Sequence, residues 1–489
     1  MIDLVADPGT FEPWDSDVVS NDPLAFHDTM SYRTRLLQAE RHSGSSEAIV
    51  AGRASVQGRA VVLIAGEFSF LGGTLGVAAA ERVIRAFDRA TESRLPVVAM
   101  PVSGGTRMQE GAAGFIQMAG CAAAVQRLRD AGLLYVVYLR NPTTGGVLGS
   151  WASLAHVRLA EPGALIGLTG PRVVRAVTGH PLPAGVQTAE NLGRRGLLDE
   201  IVRPSRLRER LGHILDAADP RPGEWQAPMG PEVLGDDADV AGWDAVVESR
   251  RAGRPGVADV LRQCGADVVR LRGDGAGNDD ENCIVGMGRV CGIAAMVLAQ
   301  RRNDGGGARG ASIGAVGYRQ YRRAIALADE LGLPLVGVID TRGAAMTPHD
   351  EEGGVAAMIA ACLGALSVVR TPTLSVLLGE GSGGGALALL PADRVVAAEH
   401  GWLAPISPEG ASAILYRTTE RAADVAGAQR ISSTDLRRLG IVDTVVPDGD
   451  GAMAPRIAAV IGDELRRLAE RDDEERLDAR RRRYRTVAR

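Results

Sequence analysis

The chain has 489 residues, 45% apolar and 24% charged, which fits two or three globular domains and excludes a disordered or fibrous protein. Its net charge of −5 comes with no domain-sized basic block, which argues against general nucleic-acid binding. No apolar run is long enough for a membrane span, and the five cysteines (Cys121, Cys264, Cys283, Cys291, Cys362) form no C-x-x-C pair, so reduced thiols are expected and a zinc ribbon is not.

Residues 1–50 read as an irregular arm. The stretch Met1 to Asp17 is acidic and lacks an apolar core, so no signal peptide is expected and a cytoplasmic location is. A first domain is expected over 51–216. Within it, helical spacing runs from Gly76 to Arg94, with Val77, Ala80, Val83, Ile84 and Phe87 on one face. A buried strand over Pro96–Met100, a helix over Ala112–Ala131 and a strand over Leu133–Leu139 follow. The stretch 217–280 is rich in Pro, Gly and Asp and reads as a linker, with a short helix near Gly242 to Arg251. A second domain over 281–450 predicts a helix at Tyr318–Leu331, a strand at Leu335–Ile339, a helix at Gly354–Ala365 and a strand at Thr373–Leu378. The remainder, 451–489, predicts one long charged helix from Pro455 onward. Alternation of this kind makes βαβ units and largely parallel sheets, an α/β fold.

The two domains are copies. Leu95-Pro96-Val97-Val98 recurs as Leu333-Pro334-Leu335-Val336, an offset of 238 (333 − 95). Ala160-Glu161-Pro162-Gly163-Ala164-Leu165 recurs at the same offset as Ala398-Glu399-His400-Gly401-Trp402-Leu403. Gly145-Gly146 aligns with Gly384-Gly385 at 239, and Pro171 with Pro408 at 237. The period is far too long for a solenoid.

Glycine clusters follow strands in both copies: Asn141 to Val147, and Gly379 to Ala386. A strand, a glycine turn and a helix start together present unpaired backbone N–H groups to a ligand, with no Cβ in the way. Such a turn holds a phosphate or an oxyanion, or else serves only close helix–strand packing. Phosphate is disfavoured, because Glu380 would lie in the turn. Further turns at Phe70-Leu71-Gly72-Gly73-Thr74 and at Ser103-Gly104-Gly105-Thr106-Arg107 lie at strand ends, where open α/β sheets bind ligands. Arg107 suits either a phosphate or an ion pair with Glu110. The seven histidines show neither triad nor metal spacing. All 55 basic residues are arginine. A chain without lysine forms no Schiff base, builds no P-loop and carries no biotin of its own.

Several of these runs resemble a known family. F-L-G-G-T-L-G (70–76), S-G-G-T-R-M-Q-E (103–110), N-P-T-T-G-G-V (141–147) and A-E-P-G-A-L-I-G-L-T-G-P-R (160–172) resemble the carboxyltransferase β subunit of bacterial acetyl-CoA carboxylase. I-D-T-R-G (339–343), G-E-G-S-G-G-G-A-L-A (379–388) and I-S-P-E-G-A-S-A-I-L (406–415) resemble its α subunit. The whole resembles a fused β–α carboxyltransferase over roughly residues 50–450.

The resemblance implies two tandem ClpP/crotonase-like ββα superhelical domains. It implies transfer of CO₂ from carboxybiotin, borne by a separate biotin carboxyl carrier and charged by a biotin carboxylase, to the α-carbon of acetyl-CoA or a similar acyl-CoA. Two anions arise on that route, a biotin ureido enolate and a thioester enolate, and two copies of a domain supply two holes. By motif, Gly145 and Gly146 would hold the biotin-side oxyanion, and Gly385 and Ala386 the thioester-side one. Gly72, Gly73, Gly104, Gly105, Arg107, Gly384 and Ala388 would contact or shape the substrate site. A homo-oligomer built from dimers is implied, with each site drawing on two chains. The family's zinc ribbon is missing, so no metal is expected, and its D-T-P-G-A-Y-P-G appears as Asp340-Thr341-Arg342-Gly343-Ala344-Ala345-Met346-Thr347. A malonyl- or methylmalonyl-thioester decarboxylase would use the same enolate hole, and a non-catalytic scaffold of a carboxylase complex is a second alternative, against which the intact glycines of both holes speak.

Overall fold

The computed structural model describes residues 1–22, 24–300 and 312–485. The chain divides into two compact units, Met1–Leu215 and the part from Asp216 onward.

In the first unit a seven-stranded sheet has the order Glu12–Trp14, Ile49–Val56, Arg59–Gly66, Val97–Met100, Tyr135–Leu139, Val157–Ala160, Glu200–Ile201. The first two pairings are antiparallel and the rest are parallel. Strands Val97–Met100 and Tyr135–Leu139 are buried at every position, which is why they read as continuous apolar runs rather than as alternation. Helix Val77–Glu92 buries Ala79, Ala80, Val83, Ala86 and Phe87, and Gly111–Asp130 buries Met118, Cys121, Ala124, Val125 and Leu128. Val77, expected on the inner face, is exposed because it opens its helix.

The second unit repeats the ladder: Val269–Arg270, Cys283–Val290, Ile293–Gln300, Leu335–Thr341, Thr373–Ser382, Arg394–Ala398, Thr444–Val446, again with two antiparallel pairings followed by parallel ones. Helices Ala315–Leu331 and Val355–Val368 take the places of the two first-unit helices.

Three expectations differ from what forms. Residues 1–50 are not irregular throughout: helix Tyr32–Ser43 starts at Ser31, whose side chain accepts from Thr34 N, and Glu12–Trp14 joins the first sheet. The 217–280 stretch carries two helices, Gly242–Ser249 and Val257–Gln263, and Val257, Val260 and Leu261 enter the second core. The tail is two helices. Met453–Ala469 buries Ile457, Ile461, Leu465 and Leu468, then Asp472 caps a fresh start by accepting from Glu474 N and Glu475 N, and Asp473–Arg483 follows. That last helix returns to finish another. Arg480 donates to the carbonyls of Leu366 (2.9 Å), Val369 (2.8 Å) and Thr371 (3.2 Å), at and just beyond the end of Val355–Val368. Asp393 pairs with both Arg476 and Arg480, and all three are buried.

Candidate active site

In the first unit three loops meet at the ends of parallel strands. Beyond Val97–Met100 the chain turns through Ser103, whose hydroxyl accepts from Gly105 N at 3.0 Å. Gly105 lies at φ +118, a conformation L side chains rarely adopt. Ser103 N donates to Pro142 O (2.8 Å), and Thr144 N returns a bond to Ser103 O (2.9 Å). Gly104 N donates to Gly72 O (2.8 Å), which ties in the 70–74 turn. The loops are too close for side chains at the contact points. A Cβ on Gly145, at φ +73, would lie 2.7 Å from Gly105 Cα, and one on Gly73 would lie 2.2 Å from Val102 O. Gly145 and Gly146 begin the short helical turn Gly145–Val147, so their amides precede any intrahelical acceptor. A polarised oxygen placed there meets two neutral donors.

The second unit builds the same turn from different side chains. Thr341 replaces Ser103, its Oγ1 accepting from Gly343 N at 3.2 Å, and Gly343 has φ +122. A Cβ on Gly385 would lie 2.8 Å from the Gly343 carbonyl carbon. Helix Gly383–Leu387 follows Ser382 directly. The positions 238 beyond Gly72 and Gly73 fall among residues that are not described.

The register of the repeat needs correction here. Ser103 bridges Thr143 in the first unit, and Thr341 bridges Gly381 in the second, both pairs 238 apart. Gly145 (φ +73) then corresponds to Gly383 (φ +61), and Gly146, packed against Met118, corresponds to Gly384, packed against Ile359. Gly384-Gly385, paired with Gly145-Gly146 by sequence, is therefore one residue out. Ala386 is the fourth residue of its helix. Ala386 and Ala388 are both fully buried.

Arg107 is also corrected. Placed among the substrate contacts, it is instead enclosed, with no exposed side-chain surface. It donates to Glu47 Oε1 (2.5 Å), Ser20 Oγ (2.6 Å), Thr74 O (2.8 Å) and Glu110 Oε1 (3.4 Å), and no edge remains for a ligand. Burial alone would raise the Glu47 carboxyl, yet the Arg107 hydrogen bonds and charge hold it below the usual carboxylate range. Glu110 also accepts from Tyr32 Oη and from Val77 N, both at 2.5 Å, so it caps the Val77–Glu92 helix. Asp350 plays that part for Ala315–Leu331, accepting from Ala315 N at 3.3 Å. The roles of the Ser103 and Thr341 hydroxyls, and the capping of these two helices by Glu110 and Asp350, escaped the sequence reading. Hydroxyl residues 238 apart at strand ends were the available signal.

Among the described residues, Glu399, His400 and Asp448 bring ligand-type atoms within 4.8 Å of one another. Asp448 is already bound by His400 Nδ1 and by Arg254 at 2.5 Å. The five cysteines are free and buried. No helix among the described residues is long and apolar enough to cross a membrane.

Tandem ββα domains of this kind define the two-domain crotonase fold. Comparison with known proteins agrees. The carboxyl transferase domain family matches residues 3–195, and the acetyl co-enzyme A carboxylase carboxyltransferase-like family matches residues 238–488. A probable biotin-dependent acyl-coenzyme A carboxylase beta3 subunit of Mycobacterium tuberculosis is 49% identical over 99% of this chain and 97% of its own length. The fused beta/alpha acetyl-coenzyme A carboxylase carboxyl transferase of Saccharopolyspora erythraea is 38% identical over 99% of this chain and 87% of its own. The crystal structure of transcarboxylase 12S, a hexamer with methylmalonyl-coenzyme A bound, superposes with a TM-score of 0.75 over 96% of this chain and 89% of its own, at 20% identity. The chain belongs to the biotin-dependent acyl-CoA carboxyltransferase family.

Proposed function

We propose that this chain moves CO₂ from carboxybiotin on a separate carrier protein to the α-carbon of acetyl-CoA or a similar short acyl-CoA, giving malonyl-CoA or a homologue for fatty acid biosynthesis. The observation that carries the reading is the doubled turn: Ser103–Gly105 beside the helical start at Gly145, and Thr341–Gly343 beside the helical start at Gly383. Carboxybiotin supplies the activated carboxyl group. The donors fit an oxygen that is neutral at first and gains charge as the reaction proceeds, because uncharged amides favour the later state without demanding an anion at the start. Gly145 and Gly146 serve one such oxygen, and the helix start from Gly383 to Ala386 serves the other. Donors of this kind are worth about 3–4 kcal/mol each when removed.

The enzyme acts in the cytoplasm as a homo-oligomer built from dimers, with a biotin carboxylase and carrier as partners. Exposed apolar residues support the assembly: Phe115 and Ile116 in one unit, Ile414 and Leu415 in the other, all above 60% exposed. The test is carboxylation of a panel of C2 to C16 acyl-CoAs with free biotin or a cognate carrier. Short acyl-CoAs should be carboxylated and streptavidin should not stain this lysine-free chain. Decarboxylation of malonyl-CoA without any biotin would overturn the reading.

A further inference from the structure

Four alternating charges lie beside the second turn. Glu380, 8% exposed, accepts from Arg342 Nε at 3.1 Å and pairs with Arg250 through its other oxygen. Arg250 continues to Glu409 at 2.5 Å, and Glu380 N is fixed by Asp340 Oδ1 at 3.0 Å. Two acids balance two arginines, but they are not equally enclosed. Arg342 is 44% exposed, and its only described partner is Glu380.

Arg342 immediately precedes Gly343, the residue against which Gly385 packs too closely for a Cβ. The corresponding position in the first unit, 238 earlier, is Gly104, which has no side chain. A charged fork therefore marks one of the two turns and not the other. A guanidinium has a side edge containing Nε and an end edge of two Nη atoms. Glu380 takes Nε, which anchors the group and leaves the end edge for a planar anion.

We propose that Arg342 is a specificity residue that binds the carboxylate distinguishing a carboxylated acyl thioester from its parent. The inference rests on the proposed carboxyltransferase reading. In a malonyl-type thioester the carboxylate sits one carbon from the thioester carbonyl, so a carbonyl oxygen at the turn amides brings the carboxylate to the neighbouring residues. Glu380 neutralises part of the charge and water reaches the rest, so the gain is moderate.

The test is calorimetric titration of the full-length protein with two matched pairs, malonyl-CoA against acetyl-CoA and methylmalonyl-CoA against propionyl-CoA. Arg342→Gln should weaken the carboxylated member of each pair about tenfold and the parent by less than about twofold. Arg342→Lys, which keeps the charge but loses the fork, should fall between. Thermal melts of each variant check that the fold is retained. Equal weakening within a pair, or none, overturns the role given to Arg342 while leaving the transferase reading in place. Wild-type protein that binds neither member of either pair overturns both.

Discussion

Arg107 and Arg342 stand near equivalent turns and do opposite things. Arg107 is sealed beneath the first turn by two acids, a serine and a backbone carbonyl. Arg342 lies half in solvent at the second, held by one acid. The backbone is nevertheless the same in both places: a hydroxyl accepts from the second of two following amides, and a glycine with φ near +120 lies against a glycine helix start. The repeat has kept the arrangement of peptide groups and released the side chains around it. Under the proposed function, chemistry common to the two turns resides in the amides, and discrimination between them resides in what differs.

The largest way to break this contrast is to remove the buried charge. Arg107→Met strands Glu47 and Glu110 in the interior and should destabilise the first unit by about 3–5 kcal/mol, read from denaturant midpoints. Arg342→Gln should cost about 0–1 kcal/mol in the same measurement. Comparable losses would erase the distinction between the two arginines.

The common part is tested at the amides. Gly146→Val should lower kcat by roughly 10²-fold with little change in melting temperature, because the nearest obstruction is the flexible end of Met118. If the strand register governs, Gly384→Val matches that loss, and Ala386→Val lowers kcat less. The reverse order would favour Gly385 and Ala386, the pair assigned by motif. Mixing inactive Gly146→Val and Gly384→Val proteins and allowing subunit exchange should restore roughly a quarter of wild-type turnover if each site draws on two chains. No recovery would mean that each site is contained in one chain.

The smallest effect concerns pH. The hydrogen bond that His400 donates to the Asp448 carboxylate raises the His400 pKa above its ordinary 6.5, against the opposing effect of burial. A raised folded-state value means the bond stabilises fully below pH 6.5 and is lost as pH rises through the folded pKa. The stability gap between wild type and His400→Gln should therefore be widest in mildly acidic buffer and shrink toward alkaline pH. A gap that is flat with pH would show that the pair contributes nothing through charge.

Much of this architecture is legible in the residues themselves. Runs such as Val97–Met100 and the 238-residue landmarks reveal two α/β copies because burial on both faces demands uninterrupted apolar strands. The glycine run is different. Gly383, Gly384 and Gly385 have no side chains to set a register, and only the Thr341–Gly381 bridge does so. Arg107 is legible only in part: its pair with Glu110, three residues on, is open to the sequence, but Glu47 lies 60 residues away and Tyr32 lies 75 away. In the tail, the charge density of 470–483 drew attention from the Ile457–Ile461–Leu465–Leu468 stripe that buries the preceding helix.

The arginine cap on Val355–Val368 also has a consequence for synthesis. The group that closes the Val369 carbonyl is 111 residues further along the chain. At about 5–20 residues per second, the ribosome leaves that helix end open to water for roughly 6–20 s after Val369 is made. Nascent chains halted before Asp473 should exchange amide hydrogens at 355–368 faster than released protein, and extension through Arg480 should restore protection. Unchanged protection would show that the helix is complete without its distant cap.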